Sequence, residues 1–166
     1  MQNHDRAPAS SSDRRFLLRA IALAARHSRD GRHGPFGAVV VRGGTVIGEG
    51  WNRVVAGRDP TAHAEVTALR AACRRLRTHV LSGCTIYCSC EPCPMCLAAI
   101  YWARIGRVVF ACGRADAARA GFDDALLYRE IRRPWSGRSV AGRQLGRAGG
   151  LRVLERWRRN SRRRGY

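Results

Sequence analysis

Apolar and polar positions alternate along the chain in a pattern that predicts its elements in order. Phe16, Ala20, Leu23 and Ala24 share one face at helical spacing, which predicts a helix opened by Asp13 and running to about His27. The polar stretch before it, with Pro8 and the run Ser10, Ser11 and Ser12, predicts a disordered tail over residues 1–12. Beyond the break at 31–34, two β-rich runs at residues 36–41 and 45–51 meet at Gly43–Gly44 and read as a hairpin. Asp59–Pro60 opens a second helix through about Leu76. Residues 85–89 read as a strand feeding a third helix, with Pro92 and Pro94 at its start and its end near Arg104. Residues 107–112 form another strand, and Asp123 or Asp124 opens a short helix through Ile131. Leu151, Leu154 and Trp157 mark a last helix over about 149–160. This order predicts an α/β chain, a mixed sheet with helices on both faces, in one domain over residues 13–166.

Length and composition agree with that outline. A chain of 166 residues suits one hydrophobic core, and an apolar fraction of 45% excludes disorder throughout. The longest apolar stretch, residues 97–103, is far too short for a membrane span, and no secretory leader is expected. Most of the 7 cysteines crowd into residues 84–96, which points to a reducing, cytoplasmic setting and to metal chemistry rather than a disulfide framework. The formal net charge is +19, and all 31 basic residues are arginine. Residues 129–166 hold more than half of that excess. The charge points to a polyanionic partner such as RNA, and the absence of lysine points to a coding bias that writes every cation as arginine. Charge alone leaves both readings open.

The chemistry sits in two segments, Pro60-Thr61-Ala62-His63-Ala64-Glu65 and Cys90-Glu91-Pro92-Cys93-Pro94-Met95-Cys96. Cys93 and Cys96 are three apart, so in a first helical turn both sulfurs can face one ion, and a helix N-terminus favours their thiolate forms. With His63 they make a one-imidazole, two-thiolate set that suits Zn²⁺ and leaves its fourth position open. Glu65 lies close enough to move protons without binding the metal. Three plainer readings stand beside this one. Cys90 could close a structural zinc site as a fourth ligand. An iron–sulfur run could begin at Cys90, although Leu97, Ala98, Ala99 and Ile100 supply no fourth cysteine. Glu65 could simply favour the helix dipole. Taken together, H-x-E with P-C-x-x-C is the signature of zinc deaminases of nucleobases.

At these residues the chain resembles the cytidine deaminase-fold superfamily, and within it the bacterial guanine deaminases. The resemblance rests on Pro35-Phe36-Gly37-Ala38-Val39, Asn52, the two metal segments, Ala99-Ile100-Tyr101-Trp102-Ala103 and Ala120-Gly121-Phe122-Asp123-Asp124. It covers about residues 14–131 strongly and the tail weakly, through Trp157 and the terminal Tyr166. It implies a three-layer α/β/α sandwich around a mixed five-stranded sheet, and hydrolysis of guanine to xanthine and ammonia. In that scheme zinc-activated hydroxide attacks C2 while Glu65 shuttles protons, with Asp124 also in the catalytic set. Asn52 and Asp124 would hydrogen-bond the purine, and Phe36, His63 and Trp102 would pack around it. The resemblance further implies a homodimer whose segment 145–166 crosses over, bringing Tyr166 to the partner's active site.

Each carried-over role has a plainer counterpart. Asn52 could form an Asx turn, Asp124 could cap a helix, Phe36 and Trp102 could belong to the core, and Tyr166 could be an unordered terminus. Cys88 and Cys90 read as buried small residues, and Cys73, Cys84 and Cys112 as core thiols. The rival enzyme is a tRNA adenosine deaminase, which shares the metal motifs and has a use for positive charge. Another aminated purine, pyrimidine or triazine ring would fit the same chemistry. From a different class, an RNA-binding module would keep the zinc as a structural ion only.

Overall fold

The structure, a computed structural model, describes residues 10–165. The first nine positions of the expected disordered tail, and Tyr166, lie outside the described residues. The three serines do not fray: α1 (Ser11–His27) is capped at Ser10, three residues earlier than the sequence pattern suggests. Ser10 is its N-cap, accepting from the Asp13 amide while the Asp13 carboxylate accepts from the Ser10 amide, a capping box.

Asp13 thus faces inward rather than capping from outside. The Tyr87 hydroxyl donates to its Oδ1 at 2.8 Å, and the Arg107 guanidinium donates to both carboxylate oxygens, each at 2.8 Å. The Arg107 fork holds the Asp13 carboxyl well below the usual carboxylate range. Burial and the neighbouring carboxylate push Tyr87 up to about 12. One buried carboxylate therefore joins α1 to two strands, β3 (Cys84–Cys90) and β4 (Arg107–Cys112).

With β1 (Gly37–Arg42) and β2 (Thr45–Trp51) the sheet has four strands in the order β2-β1-β3-β4. The β1 strand pairs antiparallel with β2 and β3, and β3 pairs parallel with β4. The five-stranded sheet expected from the resemblance is corrected here to four. The four β-rich runs of the sequence are the four strands, and the chain beyond β4 turns at Gly113 into helix. Its alanine- and arginine-rich residues favour that state, and among the described residues no fifth strand forms.

The alternation of the strands sorts the core onto two faces. Val39, Val41 and Tyr87 pack with Phe16 and Ala20 of α1. Ala38, Val40, Ile86 and Cys88 face the other way. That second face is covered after the chain leaves β2 through the short α2 (Val54–Gly57). It meets α3 (Ala64–Leu76) and, through Ile100, α4 (Pro94–Trp102). Helix α3 begins at Ala64, not near Pro60, because α2 and the turn after it take up the intervening residues.

Small residues set how closely α3 lies on the sheet. Gly48 and Gly50 of β2 face Ala64, Ala68 and Ala72, which recur every fourth residue along α3 and are all buried. A Cβ at Gly50 would stand 2.3 Å from the Ala64 carbonyl oxygen, and one at Gly48 2.4 Å from that of Ala68. Backbone therefore rests on backbone, and no other residue fits at either position.

The chain divides into two compact units, one ending at Asp124 and one beginning at Ala125, where the sequence pattern suggests a single domain. The first closes with α5 (Arg114–Arg119). The second holds α6 (Ala125–Arg132), a 3₁₀ turn at Trp135–Gly137 and α7 (Arg147–Arg159). Within it Glu130 accepts from the Ser139 amide at 2.7 Å, the Ser139 hydroxyl at 2.9 Å and Arg133 at 2.9 Å. Leu151, Leu154 and Trp157 lie along α7 as the pattern predicts, and all three are exposed. Among the described residues no helix is long and apolar enough to cross a membrane.

Two stability measurements check this account. Asp13→Ala should cost about 3 kcal/mol in denaturant unfolding, because Tyr87 and Arg107 lose a charged acceptor. Folding depresses the Asp13 pKa, so its contribution is complete above the ordinary carboxylate range and is lost as pH falls below that range toward the depressed folded value. The gap between wild type and variant should narrow accordingly on acidification. Gly50→Ala should lower stability by about 1–3 kcal/mol or more by lifting α3 from the sheet, read as a drop in Tm.

Candidate metal centre and active site

The two motif segments place their ligands at two helix starts. His63 is the N-cap residue of α3 and Cys93 that of α4, both in extended backbone conformation and neither making a side-chain cap bond. Pro94 follows at the first helical position of α4, where its missing N–H costs nothing. His63 Nδ1 lies 3.5 Å from the sulfur of Cys93 and 3.5 Å from that of Cys96. The three ligand atoms all lie within 4.8 Å of one another.

This set fits zinc. With Zn–N near 2.0–2.1 Å and Zn–S near 2.3 Å, tetrahedral donors stand roughly 3.6–3.8 Å apart, close to the separation found here. The electrostatics point the same way. The Cys93 thiol is held down at about 4, first by the hydrogen bond from Cys96 and then by that with His63. Cys96, as the donor in that pair and buried, is pushed upward. The His63 imidazole is raised, chiefly by its bond to Cys93, against the effect of burial. A thiolate beside an imidazole and a second sulfur is the environment a divalent cation would take over. Cys90 stands apart, its sulfur 3.7 Å from the Gly113 carbonyl oxygen, which argues against a fourth thiolate ligand.

Glu65 sits in the first turn of α3, 8% exposed, with Oε2 accepting from Cys96 Sγ at 3.4 Å. Burial pushes its carboxyl up from the ordinary range. It therefore touches a ligand of the cluster and holds a proton more readily than a surface glutamate does.

The remaining predicted site residues each have surroundings of their own. Asn52, directly after β2, is buried, and its Oδ1 accepts from the Gly34 amide at 3.4 Å and the Val54 amide at 3.3 Å. The second contact is an Asx turn, so the plainer reading of Asn52 is present in the structure, and its amide nitrogen remains available as a donor. Phe36 packs edge-on against Phe122, with ring centroids 4.9 Å apart and planes at 84°. Asp124 is partly buried, lies 3.9 Å from Arg114 Nε and feels the charge of Cys93. Burial raises its pKa, with Arg114 opposing. Trp102 ends α4, about nine residues and roughly 13 Å of helix from Cys93, and is 64% exposed.

Three residues to which the motif reading gave no role also shape the site. Phe122 is the partner ring of Phe36, and its signal was its place between Gly121 and Asp123. Arg114 faces Asp124, and its own amide donates to Glu91 Oε2 at 3.0 Å. Buried Ser89, next to the cysteine segment, accepts from the Gly37 amide at 3.0 Å and so holds the loop that carries Phe36. No sequence spacing announces Arg114 or Ser89, because both act through pairings distant along the chain.

Residues 10–112 match the family described as the cytidine and deoxycytidylate deaminase zinc-binding region. The chain belongs to this deaminase family. It is 50% identical over 143 residues to the guanine deaminase of Bacillus subtilis, covering 86% of this chain and 92% of that one. An X-ray structure of guanine deaminase from Bacillus subtilis superposes with a TM-score of 0.89 at 47% identity, covering 92% and 98% of the two chains. A tRNA-specific adenosine deaminase of Aquifex aeolicus is 40% identical over 96 residues, covering 58% of this chain and 64% of that protein. As a member of the deaminase family the chain is a hydrolytic enzyme, and the adenosine deaminase shares less of its length than the guanine deaminase does.

Metal content tests the ligand set. Zinc-loaded wild type and Cys90→Ser should each retain one zinc per chain after dialysis against a mild chelator. Cys96→Ser should retain none, as read by inductively coupled plasma mass spectrometry. Loss of zinc from Cys90→Ser would restore the closed structural site.

Proposed function

We propose that this deaminase hydrolyses guanine, so that guanine and water give xanthine and ammonia. The observation that carries the reading is a raised, buried Glu65 against the ligand cluster, in a chain half identical to a guanine deaminase over most of its length. His63, Cys93 and Cys96 would hold zinc, which when bound supplies a Lewis acid that makes water a nucleophile at neutral pH.

Glu65 takes one proton of the attacking water and passes it to the ring nitrogen, then takes the second from the hydroxyl now on the ring carbon and passes it to the departing amine. A carboxyl raised by burial suits both halves of that exchange. The Asn52 amide nitrogen donates to an acceptor on the purine. Asp124 accepts from a ring or amino N–H, near enough to the cluster to assist the departing group. Phe36, backed edge-on by Phe122, would pack with His63 and Trp102 around the flat ring.

The working form is proposed as a homodimer in the cytoplasm. Tyr101 and Trp102 on α4 are 75% and 64% exposed, an apolar surface that a second copy would cover. Segment 145–166 would cross to the partner and bring Tyr166 to its site. The free state of all seven cysteines agrees with a reducing compartment.

The test is a substrate panel with zinc-loaded enzyme: guanine, other aminated purines, pyrimidines and triazines, and an anticodon stem-loop RNA. Xanthine and ammonia from free guanine are expected. Inosine in the RNA with no xanthine from guanine would replace this reading with the tRNA adenosine deaminase. Glu65→Gln should keep its zinc and lose turnover by about 10²–10⁴-fold. Unchanged function in that variant would reduce the metal to a structural ion.

A further inference from the structure

Cys90 and Cys112 are register partners at the end of the parallel β3–β4 pair, and both are free thiols. Register partners on neighbouring parallel strands project from the same face, with strands about 4.8 Å apart. That spacing falls within the roughly 4.4–6.8 Å of Cα separation that a disulfide accepts. Cys112 is exposed, and of the seven cysteines it is the only one that is. Cys90 is buried behind it, its sulfur 3.7 Å from the carbonyl oxygen of Gly113, the residue after Cys112.

We propose that Cys90 and Cys112 are a reversible disulfide-forming pair that restrains the active site when oxidised. The co-reactant is a small disulfide. The Cys112 thiolate attacks one of its sulfurs, forming a mixed disulfide and releasing one thiol. Cys90 then loses its proton and attacks the Cys112 sulfur, forming the internal bond and releasing the second thiol. The two cysteines give up two electrons and two protons, and the small disulfide is reduced by the same amount. Burial holds the Cys90 thiol up at about 11, which leaves Cys112 as the group that meets the oxidant first.

The position of the bond gives it a consequence. From Cys90 the chain passes through Glu91 and Pro92 to the ligand Cys93. From Cys112 it passes through Gly113 to Arg114. The two routes already touch where Glu91 Oε2 accepts from the Arg114 amide at 3.0 Å, and Arg114 faces Asp124 at 3.9 Å. A disulfide prefers Cβ atoms about 3.8 Å apart, closer than the strand spacing, so its closure draws the end of β4 inward. The Arg114–Asp124 contact moves with it.

The turnover readout rests on the guanine deaminase reading, whereas the covalent one does not. Zinc-loaded enzyme is incubated with glutathione disulfide and mapped by non-reducing peptide mass spectrometry. A peptide linking Cys90 to Cys112, lighter by two hydrogens, is expected, with zinc content unchanged. Guanine turnover should fall about tenfold, as for disturbed supports around a metal site, and recover with dithiothreitol. Cys112→Ser should show wild-type turnover, no linked peptide and no loss on oxidation. The proposal is overturned by a glutathione adduct that stays on Cys112, by linkage of Cys93 to Cys96 with loss of zinc, or by a linked enzyme with undiminished turnover. Absence of guanine turnover in the reduced enzyme counts against the function, and the peptide map then decides the pair alone.

Discussion

The contact on which the rest depends is the bare approach of α3 to β2. A helix normally stands off a sheet by the thickness of its side chains, about 10 Å between layers. Here Gly48 and Gly50 remove the side chains from one surface, and Ala64, Ala68 and Ala72 reduce them to methyl groups on the other. The first turn of α3 is thereby pressed against the strand, and His63 and Glu65 belong to that turn. Their placement relative to Cys96 is fixed by packing that contains no polar atom of the site, so the chemistry inherits its geometry from small residues.

A second restraint acts from the other face. Asp13, Tyr87 and Arg107 bind α1 to the strands whose far ends carry Cys90 and Cys112. The sheet is therefore held from both sides, with apolar contact on the α3 face and a charged fork on the α1 face. Glu65 and Asp13 are both buried carboxyl groups, and their environments move them in opposite directions. Asp13 is surrounded by donors and kept charged, whereas Glu65 is desolvated and inclined to hold a proton.

Much of this was legible in sequence because the signals were local. The strands followed from β-rich runs, and the ligands from spacing within two short segments. The start of α1 was misplaced because Asp13, a good cap by residue type, serves at the third position of a capping box that Ser10 begins. The fifth strand came from family resemblance and not from any β-rich run, and the sheet has four strands. Asn52 shows a different limit. Its turn-forming role is visible in the hydrogen bond from the Val54 amide to Oδ1, and such a role does not compete with recognition by the amide nitrogen. Arg114, Phe122 and Ser89 depend on tertiary pairing, for which a single sequence holds no periodic signal.

The uncapped starts of α3 and α4 carry one more implication. Each helix places at its N-cap a residue that makes no capping bond, where a serine or aspartate would contribute about 1 kcal/mol. Both of those residues are ligands of the same cluster. A cation held by both would serve as a common anchor, though not as a cap, tying two helix starts that lie thirty residues apart in sequence into one cooperative unit. Local opening of either start would then require opening of the other, so order at the site is shared between the helices and not owned by either.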